Sequence, residues 1–150
     1  MKSAYNSVDC AEFVNRINNL TNETKPEWGK MNASQMLAHL NVSYELAFDD
    51  TLPQPGAFKK FMLNLFVKKI VVGDKPYKKN SPTAPEFKIT DSKDFEKEKQ
   101  RLIDFIDKTQ SLGAAYFDGK ESNSFGKLSK NEWNTMFVKH LNHHLTQFGV

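Results

Sequence analysis

A chain of 150 residues with 39% hydrophobic and 26% charged side chains can bury one sizeable core and has the composition of an ordinary globular domain. A net charge of +3 is too small to argue for nucleic acid, and no DNA- or RNA-binding motif is recognisable. The single cysteine, Cys10, excludes an intrachain disulfide and a cysteine-based zinc cage, and points to a reducing compartment.

The N-terminal stretch MKSAYNSVDCAEF lacks the apolar core of a signal peptide. The most apolar run, FMLNLFVKKIVVG, is broken by Asn64, Lys68 and Lys69 and is too short and charged to span a bilayer. The expectation is a single soluble, cytoplasmic domain over residues 1–150. Capping-box spacing of Asp9 and Glu12 predicts a first helix over 9–20, with Phe13, Ile17 and Leu20 as its stripe. Asn32 caps a second helix carrying Met36, Leu37, Leu40, Tyr44 and Phe48. After a turn at LPQPG, a shorter helix is expected over 57–71. The prolines of GDKPYKKNSPTAPEFKIT predict an irregular loop. A helix over 92–112 follows, with Phe95, Leu102, Phe105 and Ile106 inward. Ser129 and Glu132 open the last helix with another capping box. No segment shows sustained strand alternation. The pattern predicts an all-α fold, an antiparallel four-helix bundle with a short extra helix and a long loop between the second and third bundle helices.

The chain ends in KHLNHHLTQFGV, so three of its four histidines fall at 140, 143 and 144. On a wheel with Trp133 at the origin, His140 and His144 lie about 20° to either side and point into the apolar stripe, while His143 sits about 80° away at its edge. Histidines at i and i+4 stack on one helix face and can reach one ion. Buried imidazoles need partners for both nitrogens, which a shared metal and a hydrogen-bond acceptor behind each ring supply. His39, about 60° from Met36 on the second helix, is the candidate third ligand. The arrangement is not HExxH: Asn142 stands inside HLNHH, and no glutamate lies between the histidines.

WGKMNASQMLAHL at 28–40 and EWNTMFVKHLNHHLTQFG at 132–149, with FVKKIVVGDKPYKKNSPTAPEF between them, resemble the DinB-like superfamily, and within it an uncharacterised domain-of-unknown-function branch. The resemblance covers nearly the whole chain. It implies a four-helix bundle, commonly dimeric, with His39, His140 and His144 as metal ligands. It also implies small-molecule chemistry such as low-molecular-weight thiol transfer, thiol-dependent isomerisation or metal-dependent hydrolysis. His143 and the long basic insertion depart from the family pattern; His143 is a substitute ligand, a residue that positions the others, or surface.

Three neutral imidazoles leave a divalent ion with an open position, as in catalytic sites. Zinc or nickel suits them best. Such an ion lowers the pKa of bound water toward about 7, or ionises a thiol. The expected activity is a metal-dependent transferase or hydrolase acting on a small molecule. No catalytic residue is assigned; His143, Tyr44 and Glu45 are neighbours able to exchange protons, with packing or surface the commoner role for such residues. Trp28, Tyr77, Trp133 and Phe137 are candidate pocket walls, although most aromatics are core. The alternatives are a metal-free bundle without activity and a binding module built on 57–80. That segment sets seven lysines (59, 60, 68, 69, 75, 78 and 79) against Asp74 alone. Its stripe of Phe58, Phe61, Met62, Leu65 and Phe66 suits an anionic membrane or an acidic partner, but is expected to pack on the bundle or on a second subunit.

Overall fold

The computed structural model describes residues 2–49 and 52–150. The chain is mostly helical. Helix α1 spans Ser7–Asn18, α2 Ala33–Phe48, α3 Ala57–Phe66, α4 Lys68–Val72, α5 Phe95–Phe117 and α6 Lys130–Gln147. A minimal hairpin, β1 (Glu121–Ser122) and β2 (Gly126–Lys127), joins α5 to α6, with Glu121 opposite Lys127. None of the helices among the described residues is long and apolar enough to cross a membrane.

The caps set the registers. Asn32 and Gln35 form a reciprocal capping box at α2, and Ser129 and Glu132 form another at α6. These satisfy amide groups that a first turn otherwise leaves unpaired. α1 differs from expectation. Its cap is Asn6, which accepts from the amides of Val8 and Asp9, while the Asp9 carboxylate accepts from the Ser3 amide. The helix therefore starts earlier and ends at Asn18. α5 opens at the Asp94 cap and runs past the expected end at Leu112, because Gly113 adopts φ 70° and lets the helix kink and resume. The expected helix over 57–71 divides at Val67 into α3 and α4.

α1, α2, α5 and α6 share one core. α2 packs on α5 and α6, and α1 packs on the same two helices. Phe13, Ile17, Met36, Leu37, Leu40, Leu102, Phe117 and Leu141 are buried in it. Tyr44 stacks between Phe105 and Phe137, with ring centroids 5.5 and 4.7 Å away. Trp133 stacks on Phe137 at 5.5 Å. Removing an aromatic from such a cluster costs about 3–5 kcal/mol. Buried polar groups pin α2 to α5: the Asn41 amide donates to the Glu98 carbonyl and carboxylate, and Arg101 bridges Glu98 to Glu45.

The stripe on α3 and α4 does not pack on the rest of the chain. None of the residues of these two helices is buried, and Phe58, Phe61, Met62, Leu65, Phe66 and Ile70 are exposed. The insertion is attached by other means. Lys139 of α6, itself buried, donates from Nζ to the carbonyls of Ile70 at 2.7 Å, Gly73 at 2.5 Å and Lys75 at 3.2 Å. A cation at a helix C-terminus satisfies orphan carbonyls and complements the helix dipole.

Candidate metal centre

The register that buries Met36 and Leu40 on α2 also buries His39, and the register that buries Phe137 and Leu141 on α6 also buries His140 and His144. His39, His140 and His144 are 5%, 9% and 8% exposed. One ring nitrogen from each lies within 4.8 Å of the other two. Nε2 of His39 and Nε2 of His140 are 2.9 Å apart. Two nitrogens on one tetrahedral zinc stand about 3.3 Å apart. The histidines are thus close enough to hold a metal ion.

The other nitrogen of each ring is held. His39 Nδ1 donates to the Phe87 carbonyl at 2.8 Å. A carbonyl only accepts, so the proton of neutral His39 is on Nδ1 and Nε2 is bare. At His144 the chain of assignment is longer. The Gln147 side-chain nitrogen donates to the Trp28 carbonyl at 2.6 Å, which turns its oxygen toward His144 Nδ1, 2.7 Å away. His144 must therefore donate from Nδ1, and its Nε2 is bare. His140 Nδ1 lies 2.6 Å from the Ser43 hydroxyl, which can donate or accept. With no cation present, His140 protonated on Nε2 donates to His39, and Ser43 donates to His140. Holding a cation through Nε2 would require the His140 proton on Nδ1, where the Ser43 hydroxyl would accept it. Only the serine allows both states.

Burial dominates the electrostatics. It holds His39 below the ordinary histidine range, partly opposed by the Phe87 hydrogen bond. It holds His140 well below that range, with His144, His39 and His143 adding repulsion. His144 is lowered to about 3 by burial and by His39. All three are neutral at pH 7, the protonation state that binding a cation requires.

The insertion covers this cluster. A 3-10 turn at Pro85–Phe87 delivers the carbonyl to His39 and sets the Phe87 ring 5.3 Å from His39 and 5.8 Å from His140. The Tyr77 ring stands edge-on to His140 and His143 at 6.3 and 5.6 Å. A cavity of about 440 Å³ opens beside the cluster, lined by Trp28, Tyr77, Lys79, Lys139 and His143 among others. His39, His140 and His144 do not line it. Tyr77 and His143 do, and they also contact the cluster histidines, so they form a shared wall.

The remaining predicted residues separate. Half-buried His143 packs 4.9 Å from His144 and belongs to the cavity wall. Tyr44 is core, and burial raises its hydroxyl pKa far above neutrality. Glu45 is tied to Arg101. Trp28 and Tyr77 line the cavity, whereas Trp133 and Phe137 are core. Sequence reasoning missed Ser43, Gln147, Lys139 and the Phe87 carbonyl. Ser43 at i+4 from His39 and Gln147 at i+3 from His144 carried a spacing signal. The carbonyl carried none.

Residues 3–149 match the family described as "Protein of unknown function (DUF1569)". No curated protein and no solved structure matches the chain.

Proposed function

The chain belongs to the DUF1569 family, and we propose that it is a DinB-like four-helix-bundle protein that holds a divalent ion on His39, His140 and His144. We place it in the cytoplasm, acting on a small molecule by transfer or hydrolysis. The observation that carries this reading is that Phe87, Ser43 and Gln147 occupy the Nδ1 side of the three rings. Hydrogen bonds of this kind orient metal-binding histidines. His39 and His144 are thereby left with bare Nε2 acceptors within one small, buried cluster.

Zinc or nickel suits three imidazoles. When bound, such an ion supplies an open coordination position and Lewis acidity sufficient to ionise a thiol or a water at neutral pH. The thiol-transfer version follows from the DinB-like resemblance. The chain's own residues do the rest. The Phe87 ring and the 73–90 segment shield the cluster from water. The cavity between Trp28, Tyr77 and His143 receives the substrate, and Lys79, 3.9 Å over the Trp28 ring, gives its rim positive charge.

A metal-free bundle without chemistry is the second reading. The 2.9 Å contact between His39 and His140 favours it, since one proton on His140 satisfies that pair. It leaves His144 Nε2 without a donor. Elemental analysis of untagged protein separates the two readings. The expected result is about one zinc or nickel per chain, lost in His140→Ala with helical content unchanged. No metal, and no uptake on adding zinc or nickel, supports the second reading. Equal metal in wild type and variant overturns the ligand assignment.

A further inference from the structure

The apolar stripe on α3 and α4 is unused by the metal centre and uncovered by the chain. Phe58 is 78% exposed, Phe61 62%, Leu65 59%, Phe66 59%, Ile70 61% and Met62 37%. Their spacing puts them on one face across Val67, whose φ of −106° and ψ of −37° keep the backbone helical. Solvating six large apolar side chains on one short segment is costly, and a monomer seldom presents such a patch without a partner. The rim is basic. Residues 57–73 include Lys59, Lys60, Lys68 and Lys69 and no acid. Lys59 and Lys68 meet Glu86 and Glu132 at 3.3 and 3.1 Å, and Lys60 meets Glu121 at 3.7 Å. The Lys59–Glu86 pair is exposed and the other two are half-exposed, and ion pairs open to water are weak and exchangeable. Lys69 has no salt bridge among the described residues.

We propose that this face docks the protein on an anionic lipid surface. Large aromatic and aliphatic side chains enter the interface while lysines at their rim meet the phosphates, the arrangement by which amphipathic helices lie in a membrane plane. A second copy fits less well. A self-complementary contact would set lysine rim against lysine rim.

The test is flotation of the full chain with vesicles of phosphatidylcholine, with and without phosphatidylglycerol, at low and high salt. Sedimentation velocity of the protein alone runs beside it. Phe61→Asp/Leu65→Asp is the variant, since both side chains are exposed and its helical content can be checked by circular dichroism. The expected result is binding to anionic vesicles that weakens with salt and falls about tenfold or more in the variant. No binding to anionic vesicles at low salt overturns the proposal. So does binding that the variant leaves unchanged. A dimer that the variant dissolves, in protein that ignores vesicles, assigns the face to a second copy instead. None of these outcomes depends on metal content.

Discussion

Gln147 fixes the tautomer of His144 only because Trp28 fixes Gln147. The Trp28 carbonyl takes the side-chain nitrogen, so the oxygen must face the ring. Gln147→Leu keeps the approximate volume and removes the acceptor, freeing the imidazole to place its proton on Nε2 and block a cation. Loss of such a supporting hydrogen bond typically weakens metal binding about 10–100-fold. The same is expected of Ser43→Ala, because His140 then lacks an acceptor at Nδ1 in the cation-bound state. Competition against a chromophoric chelator reads both. Wild-type affinity in either variant would show that the histidines are positioned by packing alone. Lys2 and Asn142 are natural controls, since they line the neighbouring cavity and bond instead to Glu12 and Arg16.

At the scale of the element, the insertion is attached largely through α6. The Lys139 ammonium caps the C-terminal end of α4 with three carbonyls and stands 4.6 Å over the Tyr77 ring. Lys139→Met keeps the stem and strands the carbonyls, at a cost of about 1–3 kcal/mol. The expected outcome is faster amide exchange across 68–87 with little change in α1, α2 and α5, read by mass spectrometry; uniform change would make the lysine a global stabiliser instead. The reasons for legibility differ along the chain. Capping boxes at Asn32 and Ser129 are local, so α2 and α6 were readable with their start points, and two histidines on the α6 stripe followed from the 3.6-residue period. At α1 the expected cap was Asp9, but its carboxylate accepts from the Ser3 amide and Asn6 caps the helix instead. The insertion was legible as a long proline-rich loop, but its grip on His39 was not, because that grip runs through a backbone carbonyl. Lys139 was missed, and the α3 stripe was expected to be packed, for one reason: hydrophobic periodicity expects stripes to be buried and lysines solvated, whereas this stripe is exposed and Lys139 is buried.

Over the whole molecule, three neutral, buried imidazoles link stability to pH. In the unfolded chain a histidine titrates near 6.5, and in the folded chain burial holds all three below that, His144 at about 3. Between those limits the unfolded chain binds more protons, so acid favours unfolding. The stability is fully present above about pH 7 and is lost as pH falls from 6.5 toward 3. Each histidine contributes a slope of up to about 1.4 kcal/mol per pH unit. The lowered carboxylates of Glu86, Asp91 and Glu132 act in the same direction, but only below their ordinary range near 4. The window from pH 7 to 5 therefore isolates the histidines. Thermal melts of chelator-treated protein should show Tm falling across that window by about 2–4 °C for each kcal/mol lost. His140→Asn, which carries no titratable ring, should flatten the slope. Excess zinc at pH 7 should raise Tm in wild type through preferential binding to the folded chain, and the gain should shrink toward pH 5 as protons compete for the same nitrogens. A Tm constant between pH 7 and 5 without metal would mean that the rings stay hydrated, which contradicts their burial under the insertion.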